Sequence, residues 1–238
     1  TLTGGGDLPF GLSFTLSYGN TNTLRFQRLG TDFLQTETRQ REWPVGSVRF
    51  SRSLAAGPLS LLQAGVSFRQ REGTTTQPAG PTIARSAISS SAVTPDLQLG
   101  FRNGLVLGLG YNDISQRNEN NGNVTATDQS DISANLSYAF RLPSSVSRLR
   151  KQVTASVNAL YSKAVTCLQQ PTQPECTTIS DTRRTELRGT LDTELLAIMR
   201  GGLAFGYNIN EARNLNRKVS QIFISIYLTL SLYAGQYQ

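Results

Sequence analysis

Residues 10–18 read Phe-Gly-Leu-Ser-Phe-Thr-Leu-Ser-Tyr, and this stretch decides the fold. Large apolar side chains occupy its even positions, and the odd positions hold only the small or polar residues Gly11, Ser13, Thr15 and Ser17. Successive side chains of a β-strand point to opposite faces of the sheet. The stretch therefore predicts a strand with one apolar face and one small, polar face.

The same alternation recurs along the whole chain. It predicts ten strands, at residues 9–19, 38–54, 60–72, 86–102, 104–117, 127–142, 150–166, 178–196, 201–211 and 219–233. The second is the least regular because Pro44 and Gly46 interrupt it. The most apolar stretch, residues 222–234, is broken by Ser225, Thr229 and Ser231, and falls short of the roughly 20 apolar residues of a membrane-spanning helix. The chain is therefore expected to be all-β.

Strand length and loop length together favour an antiparallel transmembrane β-barrel. Most of the predicted strands exceed the roughly 9–11 residues that cross a bilayer with tilt. The connections at 102–104 and 199–202 are short, whereas those at 73–85, 118–126, 167–177 and 212–218 are longer and polar. This asymmetry is typical of bacterial outer-membrane barrels, with long loops extracellular and short turns periplasmic.

A soluble β-sandwich would also alternate, with its polar residues facing water. Its exposed positions normally carry Lys, Glu and Thr, but here they are mainly Gly, Ser, Ala, Asn and Thr. Aromatic residues also fall near the ends of the apolar runs, as interfacial girdles do. These residues are Tyr18, Phe68, Phe101, Tyr111, Tyr138, Phe140, Tyr161 and Tyr207. The membrane barrel is therefore the preferred interpretation.

Composition excludes several kinds of chemistry. The chain has no histidine, so it has neither a Ser-His-Asp nor a Cys-His nucleophile system, and its 2 cysteines are too few for a Cys₄ zinc site. The net charge of +7 comes from arginines spread along the chain rather than clustered, so nucleic acid is not an expected partner. We expect no catalysis, no cofactor and no metal.

Charged residues also occur on the small, polar face. Strict alternation assigns to it Arg49, Arg69, Arg71, Asp96, Arg188, Asp192 and Glu194. In a barrel these residues would line the lumen and give it a mixed, mildly cation-repelling charge. The alternative, which the residue pattern favours, is an internal salt-bridge network or solvated side chains near the rims.

Cys167 and Cys176 flank a polar segment of a predicted outer loop. A disulfide between them would stabilise so short a loop by roughly 2–3 kcal/mol and would imply an oxidising compartment. Two unpaired thiols are the other possibility. The disulfide is the prediction because both cysteines lie outside any core.

The polar face also bears on the size of the barrel. Ten strands could close by themselves around an interior filled with side chains, but Gly65, Gly108, Ser133 and Ser156 are too small to fill it. Loops or water would then occupy the middle, or the strands would form one wall of a wider barrel. The chain opens at Thr1 without a methionine or a secretory signal, so it is interpreted as a mature protein or as an excised segment of a longer one. Residues 1–238 are expected to be a single barrel domain or barrel segment.

Several segments resemble the C-terminal end of the very large barrel of SprA/Sov-type translocons, the outer-membrane channel of the type 9 secretion system. They are Arg-Glu-Trp-Pro at 41–44, Arg-Asn-Gly at 102–104, Leu-Arg-Lys at 149–151, and the closing run 220–238. The resemblance implies one wall of a conduit for secreted protein cargo, in contact with outer-membrane lipid and with further strands or partner subunits. A stand-alone porin-like channel for small solutes and a surface-binding, adhesin-like barrel are the competing functions.

Overall fold

Consecutive segments of the chain pair with each other antiparallel and form one sheet whose spatial order follows the sequence. The computed structural model describes the backbone of residues 1–29, 32–79, 82–141, 152–196 and 199–230, and the side chains of residues 1–28, 35–77, 84–141, 153–173, 175–193 and 200–229. The strands are β1 (Leu2–Leu8), β2 (Leu12–Leu29), β3 (Asp32–Ser53), β4 (Leu59–Ala79), β5 (Thr82–Phe101), β6 (Leu105–Asn120), β7 (Asn123–Arg141), β8 (Gln152–Gln170), β9 (Gln173–Leu196), β10 (Met199–Ala212) and β11 (Arg217–Leu230).

The prediction of an all-β, antiparallel chain is confirmed for the described residues, but the strand count is eleven rather than ten. The additional strand is β1, which pairs with the start of β2. Between them, Pro9–Gly11 form a short 3₁₀ turn in which Phe10 has a positive φ of 71°. The first predicted strand, 9–19, therefore begins in a turn, because alternation alone does not mark where the chain reverses.

The predicted long loops are largely wrong, because the strands continue through them. β4 extends to Ala79 and β5 begins at Thr82, so these strands remain paired through the predicted loop. β6 and β7 are joined by the two-residue turn Asn121–Gly122. Both turn residues have positive φ, 49° and 83°, which is the geometry of a type I′ hairpin. Segments 73–79, 118–120 and 167–170 are thus paired strand, and we refer to the end of the sheet that carries these tips as the long-hairpin end.

A bulge interrupts β3 at Trp43 and Pro44. The pairing of β3 with both β2 and β4 shifts register between Glu42 and Val45. Such a bulge adds one residue to the strand and exchanges the faces of the residues beyond it. Residues 35–42 consequently face the opposite way from the alternation that runs through Val48 and Phe50.

The sheet is one layer thick and has almost no interior. Among the described residues, the buried hydrophobic side chains are those of Val153 and Ala204. The accessible surface is 17026 Å², whereas a compact monomer of this mass exposes about 10,500 Å². Within the described residues the sheet is also open, because β1 and β11 are not paired with each other. None of the helical segments described is long or apolar enough to cross a membrane.

Candidate functional site

The two faces of the sheet differ in chemistry along its whole width. One row of cross-strand partners passes through all eleven strands and is entirely apolar: Leu8, Leu12, Phe50, Ala64, Leu97, Leu109, Ala134, Ala159, Leu187, Tyr207 and Ile222. The adjacent row points the other way: Asp7, Ser13, Arg49, Gly65, Asp96, Gly110, Ser133, Leu160, Glu186, Asn208 and Gln221. We call the first side the apolar face and the second the polar face.

The apolar face is a band of limited height. On β7 it runs from Ile132 to Phe140 and on β8 from Val153 to Tyr161, about nine residues, or about 30 Å at about 3.3 Å per residue. Within the described part of the chain no second layer covers these side chains, so Ile132 is 55% exposed and Ile226 on β11 is 82% exposed. The band thus presents large apolar side chains to whatever surrounds the sheet.

The edge of the band nearest the long-hairpin end is oblique to the rows of cross-strand partners. The row that contains Phe68 and Val93 on β4 and β5 continues on β6–β11 through Asp113, Ser130, Lys163, Arg183, Glu211 and Lys218. The same row is therefore apolar at one side of the sheet and charged at the other. Because rows run perpendicular to strands, the strands are tilted relative to the band, as in barrel walls.

Aromatic side chains lie at both edges of the band. At the long-hairpin edge, Tyr18 and Trp43 pack edge to face with ring centroids 6.0 Å apart. At the opposite edge, Tyr138 and Phe140 stack with centroids 5.5 Å apart. Tyrosine and tryptophan combine an apolar ring with a polar atom, which suits a boundary between an apolar and a wet environment.

Of the charges predicted for the polar face, those whose side chains are described lie on one face. Arg49 is paired with Gly65, and Gly65 is paired with Asp96, whose carboxylate lies over the glycine. Arg69 and Arg71 follow Gly65 along β4, and Arg188 and Asp192 follow each other along β9. The register opposes Glu194 to Arg200, but the side chain of Glu194 lies outside the described residues.

Glu42, which alternation did not assign to the polar face, joins two of these arginines. Its carboxylate accepts a 2.7 Å hydrogen bond from Arg69 Nη2 and lies 3.8 Å from Arg71 Nε. Arg71 Nη2 also donates to Gln40 Oε1 at 3.1 Å. These four side chains form a partly exposed, net positive cluster, which the bulge brings together.

Other polar-face residues could have been found by extending the alternation. Arg184 and Glu186 have the same parity as Arg188, and their side chains form a 2.5 Å ion pair. Phe223 and Tyr227 run against the expected pattern because they are large, yet they lie over Gly206 and Gly202 on β10. Glycine opposite an aromatic ring in a neighbouring strand is a pairing device in sheets.

Between the more highly charged strands, the polar face on β6–β8 carries mainly small, neutral side chains. Asn112 links Thr94 to Asp131 through hydrogen bonds of 2.9 and 3.3 Å. Asn135 donates to Asn158, and Ser156 lies 2.7 Å from Thr190, which donates to Asp192 at 3.1 Å. A depression of about 530 Å³ lies over Asn135, Ser156, Asn158 and Thr190. Its lining also includes the larger side chains of Leu160, Glu186 and Arg188.

The predicted disulfide between Cys167 and Cys176 is present, with 5.6 Å between the Cα atoms. It joins β8 and β9 near their hairpin tip, beyond the apolar band.

Ion pairs also lie beyond the band. The hydrogen bond from Arg39 lowers the pKa of Glu37, and the hydrogen bond from Lys218 lowers the pKa of Glu211 while raising that of Lys218.

Within the part of the chain that the structure describes, no group of three or more His, Cys, Asp or Glu side chains could hold a metal ion. A comparison with protein-family models finds no match, and a comparison with curated proteins finds none either.

Proposed function

We propose that this chain forms part of the wall of an outer-membrane β-barrel that encloses a wide aqueous conduit for secreted proteins. The observation that carries the proposal is the pair of adjacent rows that cross all eleven strands, one entirely apolar and the other mainly polar. A wall between lipid and water requires this division of the two faces.

The apolar face supports a lipid environment. A single-layer sheet in water would leave this band exposed, at a cost of roughly 25 cal/mol per Å² of apolar surface. The band length of about 30 Å along a tilted strand fits the roughly 25 Å apolar belt of outer-membrane barrels. Beyond the band, the outward positions of β3 become charged, with Arg39, Arg41 and Glu37, as aqueous contact requires.

The polar face supports a conduit rather than a filled core. An interior of a small barrel is filled by its side chains, whereas β6–β8 present mainly glycine, serine and asparagine. The lack of pairing between β1 and β11 in the described residues leaves both edges open to further strands. Unpaired edges are unstable in lipid, so additional strands would complete the wall.

Protein cargo is the part of the proposal that rests on the resemblance to SprA/Sov-type translocons. Two of the similar segments lie in described parts of the chain, where Trp43 and Pro44 form the bulge and Asn103–Gly104 form a tight turn. Residues 149–151 and 231–238 lie outside the described residues. In this function the chain carries no catalytic group, and its charged polar face contacts solvent and cargo.

Thiol accessibility in cells that make the intact protein tests the proposal. In a Cys167→Ser, Cys176→Ser background, single cysteines would replace Ser137 on the polar face or its neighbour Leu136 on the apolar face. Maleimides attached to polyethylene glycol, from small chains up to the size of a folded protein, would be added from outside. We expect all of them to modify the Ser137→Cys protein and none to modify the Leu136→Cys protein.

Each other result changes the conclusion in a defined way. If only the small reagents modified the Ser137→Cys protein, we would conclude that the chain forms a channel for small solutes rather than a conduit for proteins. Equal modification of both cysteines by water-soluble reagents would mean that both faces contact water, and would overturn the membrane wall.

A further inference from the structure

The apolar face contains a groove at β1–β3 that differs from the rest of the band. Its cavity of about 700 Å³ is lined on the apolar side by Leu2, Phe14, Leu16, Tyr18 and Trp43, and Arg41 is its one charged lining residue. Sites for small molecules have this character, with volumes of about 300–1,000 Å³, apolar walls and a few polar groups.

The floor of the groove is open because β1 is rich in glycine. A Cβ built on Gly4 meets no atom within 4 Å, and the ring of Phe14 lies over Gly6. Leu2 and Gly4 are opposite Tyr18 and Leu16 in the pairing, so all four point to the apolar face. An unbranched hydrocarbon chain could therefore lie along β1 against Leu16 and Phe14.

The mouth of the groove holds the guanidinium of Arg41. Among the described residues, Arg41 makes no side-chain hydrogen bond or ion pair. Glu72, opposite Arg41 in the pairing, accepts a 3.1 Å hydrogen bond from Gln70. Arg39, on the same face of β3, is bonded instead to Glu37 at 2.6 Å. Arg41 therefore keeps its positive charge beside Trp43, at the edge of the apolar band.

We propose that this groove binds an anionic membrane phospholipid, with an acyl chain over Gly4 and the headgroup phosphate on Arg41. The proposal rests on the membrane orientation given under Proposed function. Charge complementarity selects the occupant, because a lone arginine above an apolar cleft matches a phosphate carried on a hydrocarbon chain, and arginine binds phosphate through a planar fork of donors.

Trp43 makes the test direct, since it is the one tryptophan of the chain and lies in the groove. The intact chain would be reconstituted in nanodiscs containing phosphatidylglycerol or phosphatidylcholine with brominated acyl chains, and quenching of Trp43 fluorescence would be recorded. We expect phosphatidylglycerol to be favoured by about fivefold in relative association, as for one arginine at a membrane surface. Inorganic phosphate should not displace it.

Two variants that each remove one positive charge from the same face show whether the groove, rather than the general surface charge, causes the lipid preference. Arg41→Gln should abolish the preference for phosphatidylglycerol, whereas Arg39→Gln, on the same strand and face, should retain it. Gly4→Leu fills the floor and should reduce quenching by both brominated lipids.

The outcomes that overturn the proposal are distinct from those that overturn the function. Quenching without headgroup preference, an unchanged preference in Arg41→Gln, an equal loss in Arg39→Gln, or displacement by phosphate would each exclude the phospholipid site and leave the barrel wall intact. If neither brominated lipid quenched Trp43 fluorescence, the membrane orientation given under Proposed function would be wrong.

Discussion

The carboxylate of Glu42 accepts a 2.7 Å hydrogen bond from Arg69 across β3 and β4, although Glu42 has the parity of Val48 and Phe50, which lie on the opposite face. The bulge at Trp43 and Pro44 makes this contact possible by exchanging the faces of residues 35–42. It also carries Arg39 and Arg41 to the outward side above the band. One inserted residue thus determines both the charge cluster on the polar face and the arginine beside Trp43.

Glu42→Gln should make the polar face more positive with little loss of stability. Arg69 and Glu42 are 56% and 34% exposed, so the ion pair is worth less than about 1 kcal/mol. We expect the reversal potential of the intact protein in planar bilayers to shift toward anion selectivity. Glu37→Gln removes an equal charge on the other face and should leave the reversal potential unchanged. Equal shifts for both variants would contradict a polar face that lines the aqueous path.

Alternation was sufficient to predict the two faces because each strand has different surroundings on its two sides within the band. Beyond the band both sides of β4 carry mainly polar residues, so period two disappears there and the sequence predicts a loop at segments such as 73–79. The backbone hydrogen bonds that extend these hairpins carry no side-chain signature. Asn121–Gly122 was an available signal, since this dipeptide favours a two-residue turn between strands.

The polar-face charges were predictable for the same reason, and their exceptions have identifiable causes. Arg49, Arg69, Asp96 and Arg188 follow an unbroken alternation. Glu42 does not, because a bulge changes parity without leaving a unique sequence pattern. The groove at β1–β3 was equally hidden, since it needs the pairing of β1 with β2 before Gly4 and Arg41 can be recognised as parts of one cavity.

Gly206→Ala should destabilise the sheet by about 1–3 kcal/mol, the cost of overpacking. A Cβ at Gly206 would overlap the ring of Phe223, which would have to leave its position over β10. The measurement is the urea midpoint of the chain refolded in detergent. Gly108→Ala is the matched control, because its nearest neighbour, Asn135 Cβ, lies at an ordinary 3.7 Å. An unchanged or raised midpoint in Gly206→Ala would contradict the ring packing.

Removal of the disulfide should loosen the tip of the β8–β9 hairpin without affecting the band. In the chain-entropy model, closing a loop with a sequence separation of 9 contributes about 2–3 kcal/mol. In the Cys167→Ser, Cys176→Ser protein we expect faster amide exchange at Thr166 and Thr178 and unchanged exchange at Val157. Faster exchange at all three amides would mean that the disulfide supports the whole sheet.

The hydrogen bond between Lys218 and Glu211, 2.7 Å long, should make the β10–β11 tip sensitive to pH at both extremes. The pKa of Glu211 lies below its ordinary 4.5 because Lys218 donates to it, so its contribution is present above about pH 4.5 and is lost as the pH falls through the lowered value. The pKa of Lys218 lies above its ordinary 10.5, so its contribution is present below about pH 10.5 and is lost as the pH rises through the raised value.

Carbon-detected NMR titration of the Glu211 carboxyl measures this coupling. Lys218→Gln should return the pKa of Glu211 toward 4.5. Arg213→Gln removes a cation that acts on Glu211 only through its charge, so it should move the pKa less. If the two variants moved the pKa equally, the net positive charge of the tip, rather than the hydrogen bond across the strands, would be the cause. If neither variant moved it, the Lys218–Glu211 pair would not form in solution.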